Sequence, residues 1–362
     1  MTLIINKDNL KAIAIGGLIL GGGGGGSLEE GIKLGEEALF YQSELKLVDF
    51  TDLSEHANVL TISAVGAPSS TEHFVTPKDF VRIVDLFEKL SDDSVDALIT
   101  NEMGGGSSFN TFIPSALKQL PILDAACNGR AHPLGTMGAM GLSETEGYQT
   151  IQTAVGGNKE FGKYLELVVR GTVNTTSSLV RQAAVEAGGL VVVARNMVKK
   201  DFIAKNGALG TLKQSCELGA AFLAEDNPED RVRSVINYLG GEIVCQGTIQ
   251  NLSLEMSGGL DKGAFEICHG LECFKLFIWN EYMALDRDGR RLGTFPDLLM
   301  TFDAVTGMPI TSAELSEGQE VFVIQVPFQN LFLGAGMREQ SGYQRIEEAL
   351  GIEIVPYVHE LF

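Results

Sequence analysis

Residues 12 to 35 read AIAIGGLILGGGGGGSLEEGIKLG, with six consecutive glycines, Gly21 to Gly26, between an apolar run and a helical pattern. Glycine loses more backbone entropy on folding than any other residue. A folded chain therefore carries such a run only where the backbone turns through positive φ, or where something approaches the main chain closer than a Cβ permits. Three uses fit: a turn with close backbone packing, a nest of N–H groups for a polar ligand, or the phosphate loop of a dinucleotide fold. The last needs a strand before the glycines, a helix after them and an acid further on. AIAIGGLIL reads as a buried, strand-like segment, SLEEGIKLGEEALFY as a helix, and Asp49 in KLVD stands near the ribose position. Six glycines exceed what one phosphate turn needs, and no lysine supports a P-loop.

The first half continues to alternate. ELKLVDF and ANVLTISAVGAP read as strands, and TPKDFVRIVDLFEKLS as a helix opened by a Thr cap and a Pro in its first turn. VDALITNEMGGG and LPILDAACNG are strands running into polar loops, with the short helix TFIPSALKQL between them. This predicts an α/β fold, a three-layer domain over 1–170 with a largely parallel sheet, its functional residues at strand carboxyl ends. A mixed second domain is expected over 171–362. Its texture from about 241 to 330 is that of short strands (EIVCQGTIQNLSLEM, GAFEICHG, CFKLFIWNEYMAL, EVFVIQVP), giving a β-rich barrel or sandwich. YQRIEEALGIEI returns towards the α/β body as a helix and strand.

A length of 362 residues fits two domains. The net charge of −20 argues against nucleic acid or an anionic membrane surface as partner. No apolar run approaches the roughly 18–20 residues that span a bilayer. The five scattered cysteines predict reduced thiols and a cytoplasmic protein, and CHGLEC lacks the second pair a structural zinc site requires.

The densest chemistry lies in NEMGGGSSFN (101–110) and DAACNGRAHP (124–133), each following a strand. Glu102 and Asp124 offer a carboxyl pair for acid and base roles once burial separates their pKa values. Cys127 beside His132 is a candidate nucleophile pair. Arg130 can orient a planar ligand through its fork. Gly23, Gly24, Gly25, Gly104, Gly105, Asn110 and Asn128 are candidate ligand contacts, with Glu72 and His73 at the same rim. Against these stands a purely structural reading, a buried Asp–Arg pair with capping asparagines. Asn280 and Glu281, polar within the apolar IWNEYMAL, either support the site or knit the domains.

The ordered set LGGGGGGS, GAPSSTE, NEMGGGSSFN, LPILDAACNGRAHP, GGLDKGAFEI, WNEYMAL, FPDLL and TGMPI resembles the S-methyl thiohydantoin desulfurase family across nearly the whole chain. The signature is E-x-G-G at Glu102, Gly104 and Gly105, followed by D-x4-G-R-A-x-P from Asp124 to Pro133. The resemblance implies hydrolytic removal of sulfur from a five-membered thiohydantoin ring, giving hydantoin and methanethiol. It also implies association with hydantoinase/oxoprolinase-type proteins. In that reading the glycine-loop N–H groups and Asn110 hold the ring carbonyl, Glu102 or Asp124 activates water, and the other carboxyl or His132 returns a proton. One departure stands out: Ala126 occupies the place of a second family acid, which Cys127 and His132 would have to replace. Other readings are a non-catalytic ligand-binding or partner subunit and a dinucleotide-dependent enzyme. A divalent metal is compatible with the residues but not demanded by their spacing, and a homo-oligomer is expected.

Overall fold

The computed structural model describes residues 3–67, 70, 72–270 and 272–362, with His269 described for its backbone alone. Three positions of the GAPSSTE motif, 68, 69 and 71, lie outside the described residues.

A three-residue strand β1 (Leu3–Ile5) leads into helix α1 (Lys7–Gly21), opened by a reciprocal Asn6–Asn9 capping box. The segment expected as strand-like is thus helical. Leu10 and every residue from Ala12 to Gly21 are buried, so no polar face survives to show the 3.6-residue period. Gly22, at φ +57°, ends the helix. The glycines therefore join α1 to α2 (Leu28–Tyr41) and follow no strand, which removes the phosphate-loop geometry. Asp49 is held by Lys213 at 2.6 Å.

The chain continues through β2 (Leu45–Val48), β3 (Asn58–Gly66), α3 (Pro77–Glu88), β4 (Ala97–Glu102), α4 (Phe112–Lys118) and β5 (Ile122–Asn128). Next come β6 (Thr150–Gly156), β7 (Leu165–Gly171), α5 (Val173–Glu186), β8 (Leu190–Lys199), α6 (Lys200–Asn206) and β9 (Ala208–Leu209). These strands form one mixed sheet in the order β1-β2-β5-β4-β3-β8-β6-β7, with β9 on β5. Its heart, β2-β5-β4-β3, is parallel, crossed by α3 and α4. Along β8 the side chains alternate: Val191 and Val193 pack in a cluster with Val180 and Ala184 of α5, while Val192 and Ala194 join the cluster holding Ile83 and Val84 of α3. Helices cover both faces, as a three-layer α/β unit requires. The sheet runs past the expected boundary near 170, since β8 lies between β3 and β6.

Helices α7 (Thr211–Leu223) and α8 (Pro228–Leu239) lead to the second unit. Its strands are β10 (Glu242–Ser257), β11 (Leu260–His269), β12 (Glu272–Trp279), β13 (Glu281–Arg287), β14 (Arg290–Thr294), β15 (Leu298–Asp303), β16 (Pro309–Ile310) and β17 (Glu320–Val326). They form one antiparallel sheet, β14-β13-β12-β11-β10-β17-β15-β16. Helix α9 (Gln340–Leu350) packs Tyr343 and Ile346 against Trp279, Met283 and Phe295 of this unit, and the expected strand after it is absent. Cys268 and Cys273 face each other across β11 and β12 and are disulfide-bonded, contrary to the expectation of reduced thiols throughout. Their five-residue spacing closes a hairpin, which no zinc or long-range framework pattern anticipates. No helix among the described residues is long and apolar enough to cross a membrane.

Candidate functional site

A cavity of about 430 Å³ opens past the carboxyl ends of β3 and β4 and the loop after β5. That is where a sheet of this kind holds its ligand. Glu102 ends β4, His132 follows β5, Arg195 points in from β8, Arg181 from α5, and Glu281 from the first residue of β13. Both units thus contribute to one site.

Glu102 and His132 form its centre. The Glu102 Oε2 lies 3.3 Å from the His132 backbone N–H and 3.4 Å from His132 Nε2. Arg195 donates to Asn101 Oδ1 at 2.8 Å, which turns the Asn101 amide nitrogen towards His132 Nε2 at 3.2 Å. An amide nitrogen only donates, so Nε2 accepts and the ring proton sits on Nδ1. Burial, reinforced by the Arg195 charge, pushes the His132 pKa down to about 3. The ring is therefore neutral at ordinary pH. Gly138 packs over it, where a Cβ would come within 2.6 Å of Nε2.

Burial drives the two cavity carboxyls the other way. Glu102 rises to about 7, against the His132 N–H and the Arg195 and Arg181 charges that favour its anion. Glu281 is raised well above its ordinary value by burial and by the Glu102 charge beside it. Glu102 is thus poised between its forms near neutral pH, and Glu281 is biased in the same direction, towards its neutral form.

Buried polar atoms ordinarily find partners. Six lining this cavity have none within the protein: Ser107 Oγ, Asn110 Nδ2, His132 Nδ1, Ser177 Oγ, Arg195 Nε and Glu281 Oε2. They mix donors with acceptors around the Glu102–Glu281 pair. The cavity therefore offers hydrogen-bond donors and acceptors together to a polar ligand. Among the described residues, no three His, Cys, Asp or Glu side chains gather into a set that can hold a metal ion.

Several candidates face elsewhere. Asp124 lies on β5 but turns to α7, where its Oδ1 accepts from the Leu212 and Lys213 N–H groups at 3.1 and 3.3 Å. Cys127 packs in the sheet with Sγ 3.3 Å from Thr61 Oγ1, and burial raises its thiol to about 11. It is not paired with His132. Asn128 ties the chain to itself, donating to the Arg130 carbonyl at 2.8 Å and accepting from Gly334 N–H. The buried Arg130 reaches across to the second unit, donating to the Pro296 and Asp297 carbonyls and stacking 4.5 Å from the Phe295 ring. Glu72 is exposed and paired with Lys163, whereas His73 does stand at the rim, its Nε2 3.6 Å from Glu30.

The glycine run works chiefly as a seam. Four of its six residues, Gly22, Gly23, Gly25 and Gly26, have positive φ. A Cβ would strike the Arg130 guanidinium at Gly22, the Tyr282 ring at Gly23 and the Glu281 carboxyl at Gly24. Carbonyls of Gly22 and Gly23 accept from Tyr282 N–H and Ser312 N–H, and that of Gly25 from Gly106 and Ser107 N–H. Gly104 meets Gly25, and Gly105 meets Gly26 and Ser27, so these two shape the neighbouring loop. Only Gly25 and Gly26 of the run also line the cavity. Close approach is the reason for the glycines, and protein rather than ligand is what mostly approaches.

Asn101, Arg181 and Arg195 were not singled out in the sequence. The available signal for Arg195 was a charge at the end of the apolar run GLVVVAR, because a buried charge needs a purpose.

Fold and site together define a two-unit α/β protein with a polar cavity, holding two largely buried carboxyls, at the junction of its units. The chain belongs to the S-Me-THD-like family: residues 8–161 match the description "S-Me-THD-like, N-terminal domain" and residues 172–341 "S-Me-THD-like, C-terminal domain". The fold is also similar to a crystal structure of a protein from Chromobacterium violaceum, with a TM-score of 0.72, 17% identity, and coverage of 96% of this chain and 97% of that one. No curated protein matches the chain.

Proposed function

We propose that the cavity hydrolyses a hydantoin-like ring, taking an S-methyl thiohydantoin to the hydantoin with release of methanethiol. One observation carries this reading: six unpartnered buried polar atoms surround a carboxyl pair in one cavity of a size to hold such a ring. Family membership supports the substrate class.

The residues divide the work as follows. Ionised Glu102 takes a proton from water, and the oxygen adds to the ring carbon bearing sulfur. Protonated Glu281 gives its proton to the adjacent ring nitrogen as the C=N bond opens. The hydroxyl then becomes a carbonyl, its proton returning to Glu281, while the C–S bond breaks and methanethiol leaves with the proton held by Glu102. Asn110, Ser107 and the Arg195 Nε–H hold ring oxygen and nitrogen atoms and stabilise the charge that develops on them. Neutral His132 donates from Nδ1 and keeps Glu102 oriented through its backbone N–H.

The test incubates the purified protein with S-methyl thiohydantoin, thiohydantoin and hydantoin, followed by mass spectrometry. Hydantoin and methanethiol formed by the wild type, and lost in Glu102→Gln and Glu281→Gln, are expected. A protein that binds these rings yet turns over none overturns the reaction and leaves a binding subunit.

A further inference from the structure

We propose that β7 is a self-pairing seam, through which two copies of this chain join their first sheets edge to edge in an antiparallel dimer centred on Val168. This stands independently of the reaction proposed above.

Strand β7 closes one end of the first sheet and pairs only with β6 among the described residues. Its outer edge therefore presents a row of main-chain donors and acceptors, a template for a further strand. Proline, lysine and a bulge, three of the devices that blunt such an edge, are missing. Leu165–Gly171 contains neither proline nor lysine, and its pairing with β6 runs all seven residues without a register shift.

The sequence of the strand is complementary to itself. In an antiparallel pair centred on Val168, Glu166 of each copy faces Arg170 of the other, Leu167 faces Val169, and Val168 faces its own counterpart. The three exposed positions of the strand are Glu166, Val168 and Arg170, so the outward pattern is acid, apolar, base. Reversed, it reads base, apolar, acid. Val168 leaves 45% of its surface exposed. Glu166 is held ready by Arg82, at 2.9 and 2.7 Å, and by the Tyr164 hydroxyl. Arg170 has no carboxylate partner among the described residues and donates only a long bond to the Leu90 carbonyl. Self-pairing supplies the missing anion.

The same antiparallel arrangement sets the start of one β7 beside the end of the other. Phe161, four residues before the strand, is 75% exposed, and Leu90, beside Arg170, is 42% exposed. Pairing brings these two apolar ends together. An isologous contact of this kind closes with two copies and does not propagate.

Sedimentation equilibrium at micromolar concentration gives twice the 38.9 kDa chain mass if the seam forms. Arg170→Glu sets like charges opposite each other at both ends, as does Glu166→Arg. Each variant alone raises the dimer dissociation constant at least about tenfold. Mixed one to one they pair again, because every Glu then meets an Arg. Val168→Cys places one thiol against its twin, so mild oxidation yields a covalent dimer that the wild type does not form. A monomeric wild type overturns the proposal. So does a dimer that is insensitive to both charge reversals, or charge variants that fail to pair when mixed while their circular dichroism matches the wild type.

Discussion

Gly24→Ala tests the packing account of the glycine run directly. Gly24 is not among the positive-φ glycines, so its backbone suits alanine. The ordinary effect of that change is a gain of about 0.4–1 kcal/mol through a less flexible unfolded chain. Here the added Cβ would lie 2.1 Å from Glu281 Oε1 and 2.8 Å from its Cγ, so this buried side chain has to shift. Overpacking of that kind costs about 1–3 kcal/mol, which set against the entropic gain leaves a net loss of about 0–2.6 kcal/mol. The cycle closes with Glu281→Ala. In that background the obstructing carboxyl is gone, so Gly24→Ala becomes neutral or stabilising. The coupling between the two positions should therefore be about 1–3 kcal/mol. Trp279, the single tryptophan and two residues from Glu281, reports urea unfolding of all four proteins by fluorescence. Additive effects, or a Gly24→Ala protein more stable than the wild type, would refute the packing argument.

Two further outcomes separate the site from its surroundings. Glu102 ionises at about 7 in the fold against an ordinary 4.5, so the native state binds the extra proton and is stabilised fully below pH 4.5. That contribution is lost as pH rises from about 4.5 through about 7, while turnover, which needs the anion, rises over the upper part of the same window. Glu102→Gln, frozen in the neutral form, should flatten its share of the stability profile and lower turnover about a hundredfold or more; an unchanged slope in urea titrations at pH 5 and 8 would contradict the assignment. Asp124→Ala should cost about 0.5–2 kcal/mol by freeing the first N–H groups of α7, and Cys127→Ala should leave a small packing defect, both with turnover within about twofold of wild type. A tenfold loss of turnover in either folded variant would return that residue to the chemistry.

How far the sequence revealed this arrangement depended on what each segment packs against. The alternation of strand and helix from Leu28 to Asn128 was legible because each element keeps one polar face or a clear boundary, such as the Thr76–Pro77 helix start. Helix α1 was not, since burial on all sides erases periodicity. The motif DAACNGRAHP named the right neighbourhood but not the right side chains. Asp124 faces α7, Cys127 packs on the opposite face of the sheet with Met140 and Ile203, and it is His132 and Pro133, past the strand end, that line the cavity. Period two along a strand divides a contiguous motif between environments, and a sequence does not say which face opens on the ligand. Glu102 and Asn110 both line the cavity, because Glu102 ends β4 and Asn110 lies in the loop that follows it.

The second carboxyl, Glu281, was legible only as one of two alternatives, supporting the site or knitting the domains, because it comes from the other unit. An acid at position 126 would sit in the packed sheet, where Ala126 pairs with Ala208 of β9, on the β5 face that also carries Asp124. Ala126 therefore does not face this cavity, where Glu281 places a second buried carboxyl, biased towards its neutral form, beside Glu102. That partnership requires β13 to come within contact of the loop after α1. Side chains at Gly22, Gly23 or Gly24 would push away Arg130, Tyr282 or Glu281 itself. Tyr282 N–H and Ser312 N–H then fix the approach by donating to the bared carbonyls of Gly22 and Gly23. The glycines are thus tied to the cavity at one remove: they contribute little to its lining, but without them Glu102 and Glu281 would stand on two units that cannot close.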